Sequence, residues 1–272
     1  MNKTTRYLAG MWLCAPLMAA QAQVLNGGFE AGLSGWSTLG DASAFTLGSA
    51  PAGVAQLWLT TASPAFEDDF PAAAGARNRS GSAAAEAAEV EAFLGLAAGA
   101  LDPDALNAIQ ATEGSAAFQM VNANAGELLN FQWDFGTSEG EGADYAFLIV
   151  DGAITRLANP GEATLPGTFD NNARTGYASF STAFLTNGPH VVGFGVVDVS
   201  DYNVTSTLAI DSVQISAVPE MPALVLGLAG LAVLGGLRQF RRSNCAAARR
   251  VAHALPESSA LATVAGESAM GL

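Results

Sequence analysis

Carboxylates dominate the chemistry this sequence could perform. Residues 24–217 hold 22 Asp and Glu against four basic side chains, Arg77, Arg79, Arg156 and Arg174, and no Lys. Two carboxylates at a set separation across a cleft can hydrolyse a glycosidic bond. With so many acids some pair always stands close, so their number selects no catalytic pair. Asp198, Asp201 and Asn203 in VDVSDYN are spaced like the first half of a calcium loop. The Gly and distal Glu that complete such a loop are missing, and a polar loop between two strands fits the stretch better. Glu139, Glu141 and Asp144 form another acidic group, and Glu67, Asp68 and Asp69 a third; both read as solvated loops.

Other chemistries are bounded more tightly. His190 is the one histidine in residues 24–217, and Cys14 and Cys245 both fall outside that span. Thiol catalysis, cysteine-ligated zinc and disulfides are therefore excluded from it, and a Ser-His pair or a multi-histidine metal site would have to work with a single imidazole. No Ser-centred elbow, P-loop or metalloprotease motif is present. The expectation is a protein that is not an enzyme, with no catalytic residues. The whole chain has 11 Lys and Arg against 25 Asp and Glu, a net charge of -14. That balance excludes nucleic acid as a partner, because such affinity rests on cations at phosphates. Sugar binding would need exposed aromatic faces. Trp36, Trp133, Tyr145, Tyr177 and Tyr202 read mostly as core fill. Trp58 in QLWLT is opposite in phase to Leu57 and Leu59 and is the candidate for an exposed sugar-stacking ring.

The elements that must position these residues are mainly strands. Leu129, Phe131, Trp133 and Phe135 alternate on one face of 126–135, and DYAFLIV (144–150) is an apolar run followed by Asp151-Gly152, a hairpin-turn signal. HVVGFGVVDV (190–199) is another strand. TLAIDSVQI (207–215) alternates Leu208, Ile210, Val213 and Ile215, with an irregularity near Asp211. Short strands between Gly, Asn and Pro turns predict a mainly β chain, an antiparallel β-sandwich. One segment departs from this. Val90, Phe93, Leu94 and Ala97 recur at helical spacing within 82–110, with Ser82 as N-cap and a second short helix after Asp102-Pro103. This predicts a helical insertion lying on the sandwich, after a long loop over 61–82.

Both ends read as addresses. Residues 1–22 have Lys3 and Arg6, an apolar stretch over 8–19 and Ala20-Gln21-Ala22, the order of a signal peptide cut after Ala22. Residues 221–237 contain no charge, the short limit for a transmembrane helix, and Arg238, Arg241 and Arg242 follow at once. Basic residues beyond an apolar span hold that side in the cytoplasm. Residues 23–217 are then the exported domain.

Val218-Pro219-Glu220, the apolar span and the arginine cluster together resemble the PEP-CTERM sorting signal of Gram-negative bacteria. The resemblance implies export, transient anchoring in the inner membrane and processing by an exosortase-type protease near Pro-Glu. It also implies a destination at the cell surface or extracellular matrix and a link to exopolysaccharide and biofilm. Met221 stands where the motif usually has Pro, and the chain continues over 243–272, either as a cytoplasmic tail or as a frameshift product.

VLNGGFE (24–30) with Gly35-Trp36, and Ile210-Asp211-Ser212-Val213 near the other end, are similar to the opening and closing strands of galactose-binding-like jelly rolls and carbohydrate-binding modules. That resemblance implies a jelly roll in which the first and last strands lie together. It also implies a structural Ca²⁺ held by Glu30 and Asp211, with Asn26 as a further candidate. Calcium accepts six to eight oxygens in irregular geometry. The alternative is that these are turn and bulge residues bonded to local backbone. The expected function is a structural or carbohydrate-binding component facing extracellular polysaccharide. Its rivals are a secreted polysaccharide-active hydrolase and a calcium-dependent matrix adhesion protein that binds no glycan.

Overall fold

Alternation along each strand decides which side chains meet the core. The computed structural model describes residues 23–46, 50–65, 72–139, 143–167 and 171–217. In chain order the elements are β1 (Ser37–Leu39), β2 (Asp41–Thr46), β3 (Ala55–Thr60), β4 (Ala85–Glu86), α1 (Ala87–Leu94), β5 (Ala111–Ala123) and β6 (Leu128–Thr137). There follow β7 (Tyr145–Val150), β8 (Ala153–Ala158), β9 (Leu165–Pro166), β10 (Ala173–Arg174), β11 (Ala178–Ala183), β12 (Gly188–Val199) and β13 (Ser206–Ser216). One sheet has the order β1-β5-β12-β7-β8, with β4 also on β5. The other runs β2-β3-β13-β6-β10-β9, with β11 beside β6 as well. The described pairings are antiparallel, and the two sheets form the expected sandwich. The proposed signal peptide, the 218–242 sorting segment and the tail lie outside the described residues.

The core between the sheets contains Leu129, Phe131 and Phe135 of β6, Leu57 and Leu59 of β3, and Phe194 and Val196 of β12, with Trp133 packed against them. Phe131 and Phe194 meet edge to face at 4.8 Å across the sandwich. Each fully buried side chain of this kind contributes about 1.5–3 kcal/mol. The β7–β8 hairpin closes through Asp151 and Gly152, both at positive φ, as the Asp-Gly signal requires. The irregularity near Asp211 is a register shift between Asp211 and Gln214 against β6, with Ser212 at φ 57°.

β12 is apolar over residues 191–197 because both of its faces are covered there. Val192, Phe194 and Val196 face the inter-sheet core, while Val197 and Val199 lie in a second cluster with Val90, Leu94 and Leu101. The helix thus lies on the sandwich, as predicted, but begins later. Its N-cap is Glu86 rather than Ser82, with no side-chain cap bond, and Gly95 ends it in the left-handed region. The second helix reduces to a single 3₁₀ turn, Ala105–Asn107, with Asp104 rather than Asp102 accepting the Asn107 N–H. Asp102 instead accepts the Ala111 N–H at 3.0 Å. Glu91 is buried and accepts N–H bonds from Gly99 and Leu101, so the segment after α1 folds around a carboxylate and needs no second helix.

The described end of the 61–82 loop, at Arg79 and Ser80, is tied down in the same way. Asp41 is fully buried and accepts from Thr60 Oγ1 at 2.5 Å, from the Arg79 N–H at 3.0 Å and from the Ser80 N–H at 2.6 Å. Replacing Asp41 by Asn would turn an amide group toward these donors. Asp41→Asn is expected to lower unfolding free energy by about 1.5–3 kcal/mol, the scale of hydrogen bonds to a charged group. Urea denaturation of the variant against the parent measures it.

Candidate functional site

Residues 24–36, expected as an opening strand, form turns, and β1 lies in the other sheet from β13; it is the turn at Gly27 that meets the closing strand. The Val213 N–H bonds to the Gly27 carbonyl at 2.9 Å, and a Cβ on Gly27 would stand 1.9 Å from the Val213 carbonyl oxygen. Glu30 and Asp211 both face the segment before β3. Glu30 Oε1 accepts the Val54 and Ala55 N–H groups at 2.7 and 2.9 Å, and these bonds hold its carboxyl below the usual range. Asp211 is buried; Oδ2 accepts the Ala52 N–H at 2.8 Å and Oδ1 its neighbour Ser212's. Burial raises its pKa, the two amides oppose that, and the Glu30 charge adds to the rise. Asn26 does not join them. Its Oδ1 accepts from the Ala31 N–H and its Nδ2 donates to the Gly32 and Ser34 carbonyls, which closes the turn.

Trp58 is not an exposed ring. It is opposite in phase to Leu57 and Leu59, but the outer face it occupies is itself covered. Phe45, Tyr177 and Ala209 pack on it, leaving it 6% exposed. Arg79 lies 4.8 Å over Phe45, and the Tyr177 hydroxyl donates to Gln56. Trp36 is core, between Phe29 and Phe194, and Tyr145 is buried. His190, on β12, ties the β7–β8 turn to the segment before β12. Nδ1 is 2.6 Å from Asp151 Oδ2 and Nε2 is 3.1 Å from the Thr186 carbonyl, so both ring nitrogens face acceptors and neither faces a nucleophile.

Among the described residues, the aromatic ring most exposed to solvent is Tyr202, at 48% exposure. It stands on a cleft of about 540 Å³ lined by Ser63, Ala83, Ala84, Glu86, Glu113, Tyr202 and Asn203. Its hydroxyl donates to Glu86 at 3.3 Å. The loop from Asp198 to Asn203 is shaped by its own bonds. Thr112 Oγ1 donates to the Asp201 carbonyl at 2.5 Å, the Ser200 N–H bonds to the Gln110 carbonyl, and the Asn203 N–H bonds to Asp201 Oδ1. Ser200 takes a positive φ of 77° to make the bend. A second opening, about 390 Å³, lies on β6, β11 and β13 and is lined by uncharged side chains that include Asn130, Gln132, Ser181 and Gln214.

Beneath the Tyr202 loop, two acidic groups that looked separate and solvated in the sequence come together. Asp144 is fully buried; Oδ1 accepts the Val199 N–H at 3.0 Å and Oδ2 the Ser206 hydroxyl at 2.6 Å. Asp198 is 1% exposed. Burial pushes Asp198 and Asp144 up, and each acts on the other. Glu139 is pushed up to about 7, first by burial and then by the charges of Asp144 and Asp201. The signal that could have joined them is register: Val197 pairs with Tyr145, so Asp198 and Asp144 follow side by side on neighbouring strands. Glu141 and residues 67–69 lie outside the described residues.

No protein family matches the chain, and no curated protein matches it either. Among solved structures it is similar to TmCBM61, a carbohydrate-binding module solved in complex with β-1,4-galactotriose. The identity is 12% over 73% of this chain and 100% of that one, with a TM-score of 0.39. It is also similar to the secreted serine protease VesC from Vibrio cholerae, at 16% identity over 61% of this chain and 34% of that one, TM-score 0.22. Neither likeness assigns an activity to this chain.

Raised carboxyl pKa values carry a sign for stability. A group that holds its proton longer when folded than when unfolded contributes stability below its unfolded pKa, and that contribution is lost as pH rises through the folded one. Glu139, Asp144 and Asp198 all shift this way. In excess chelator the melting temperature is therefore expected to fall as pH rises from about 5 to 8, and thermal melts across that range measure it. A melting temperature that climbs over the same range would contradict the assignment of these three carboxyls.

Proposed function

We propose that this chain is an exported, non-catalytic β-sandwich protein of the cell surface or extracellular matrix that binds carbohydrate at the Tyr202 cleft. The observation that carries this is the exposed Tyr202 ring at the mouth of the cleft, with Asn203, Ser63, Glu86 and Glu113 around it. An aromatic face packs on the apolar face of a pyranose, while amide, hydroxyl and carboxylate groups bond its hydroxyls. The antiparallel sandwich and the meeting of the opening turn with β13 are consistent with the same reading. The sorting half of the proposal rests on the sequence. Val218, Pro219, Glu220, the 221–237 span and Arg238, Arg241 and Arg242 are the elements an exosortase-type protease would process.

A structural calcium ion at the strand ends is part of this reading. Glu30 and Asp211 would hold it, since Glu30 Oε2 and the second lone pairs of Asp211 are free of the amide bonds described above. There the ion would offset two adjacent negative charges and tie the opening turn to β13. The ligand is expected to be a neutral polysaccharide, because the acidic domain repels anionic polymers.

Two measurements test the proposal. Tyr202→Ala is expected to weaken retention on a matching glycan about tenfold, the loss of about 1.4 kcal/mol, with an unchanged melting temperature. Affinity electrophoresis of the full chain through neutral polysaccharides reads it. Release of reducing sugars by the parent protein would instead favour the hydrolase. The intact mass of the protein recovered from the surface and medium fractions of its host is expected to span about residue 23 to the Pro219 region, the product of two cleavages. A full-length membrane form would remove the sorting reading.

A further inference from the structure

The Tyr202 cleft does not end at its own walls. Ala83 and Ala84, which line it, also line a second opening of about 410 Å³, whose polar side chains are Thr38, Ser80, Ser82 and Glu89. Strand pairing puts both openings along one edge. β12 occupies one edge of β5 along its length, so β1 and β4 share the other. There β1 pairs with Ala116, Ala117 and Phe118, and β4 with Glu113 and Gly114, so the two short strands stand in line with Ser115 between their partners. At about 3.3 Å per residue, the step from Thr38, opposite Ala117, to Glu86, opposite Glu113, is about 13 Å. The wall over 78–84 is held by bonds to main chain. Asn78 Nδ2 donates to the Ala62 and Ser82 carbonyls and its Oδ1 accepts the Gly81 N–H. The Ser82 N–H bonds to Ser80 Oγ, and the Ala84 N–H to the Ala62 carbonyl at 3.2 Å. A wall fixed before the ligand arrives lowers the entropy lost on binding.

Resting on the reading that the Tyr202 cleft binds carbohydrate, we infer that the two openings are one elongated groove, which holds an internal stretch of an extended polysaccharide rather than a single sugar or a chain end. A pocket for one small ligand encloses most of its surface. Here the lining continues past the ring, over Ala83 and Ala84, to Ser82 and Thr38. The two alanines carry no long side chain to divide the groove, and Ala83 is exposed. The chemistry along the groove suits a chain of hydroxyl-bearing rings. Tyr202 supplies a stacking face at one end. The exposed hydroxyls of Thr38, Ser80 and Ser82 both donate and accept, and the exposed carboxylates of Glu86 and Glu89 accept from sugar hydroxyls. The rival occupant is an extended peptide. A peptide that added as a strand would need the free edge of β5, and β1 and β4 already occupy it.

The test measures retention of the full chain by neutral glucans, mannans and galactans, and the affinity of their single sugars and of oligosaccharides of rising length by titration calorimetry. Affinity is expected to rise about tenfold or more between a single sugar and an oligosaccharide that reaches both openings, and then to level off. Ser82 lines the far opening and not the Tyr202 cleft. Ser82→Trp is expected to abolish the rise with length without lowering the melting temperature. Thr38→Trp, from the opposite wall, is expected to do the same and keeps the test decisive should Ser82→Trp fail to fold. Tyr202→Ala is expected to weaken single sugars and long chains by the same factor. An affinity that needs Tyr202 but is equal for one sugar and for many overturns the inference and leaves the carbohydrate reading standing. A rise with length that both tryptophan variants keep overturns it in the same way. Retention of no neutral glycan of any length overturns both, and capture of an extended peptide in place of glycan does so too.

Discussion

The structure depends on carboxylates that accept backbone N–H groups. Asp41 holds the segment at Arg79 and Ser80, Glu91 holds Gly99 and Leu101, and Asp211 and Glu30 hold Ala52, Val54 and Ala55. Asp102 anchors Ala111 and Asp144 anchors Val199. In each case an irregular segment is tied to a sheet or helix by a charge that finds its donors in main chain. A charge-assisted bond of this kind is about twice as strong as a neutral one. Residues 24–217 contain no cysteine, so no disulfide can hold these loops. The acidity that looks like a surface property in the composition is in large part the internal fastening of the fold.

This view explains why Asp198 stands out. Asp41, Glu91, Asp144 and Asp211 are each buried at the cost of desolvation, and each recovers it through amide or hydroxyl donors. Asp198 bears the same cost and has no donor. Its carboxylate is aimed at another carboxylate where its neighbours elsewhere are aimed at amides. A chain that satisfies its other deep acids this consistently makes the exception informative.

Sequence pattern reached the strands because their physics is local. Alternation over 129–135 and the Asp151-Gly152 turn are each decided by a few adjacent residues. It failed where a distant element decides the outcome. Trp58 has the right phase to be exposed, and Phe45, Tyr177 and Ala209, from β2, the segment before β11 and β13, bury it. Ser82 has the chemistry of a cap, but the chain there pairs through β4 with β5 before α1 can start. The buried acids Asp144 and Asp198 lie 54 positions apart, and only strand register joins them. Glycines of β12 follow the same rule. Gly195 reads as a weak strand residue until Phe147 is seen above it, where an added Cβ would stand 2.3 Å from the ring.

The loop from Asp198 to Asn203 couples two environments over six residues. Its first residue points into the acidic floor, while Tyr202 and Asn203 line the cleft. Thr112 Oγ1 and the Gln110 carbonyl grip its middle from β5 and the residue before it, so the backbone has little freedom to absorb a change at one end. A substitution at Asp198 is therefore passed to the segment that carries the ring through a backbone held at Ser200 and Asp201.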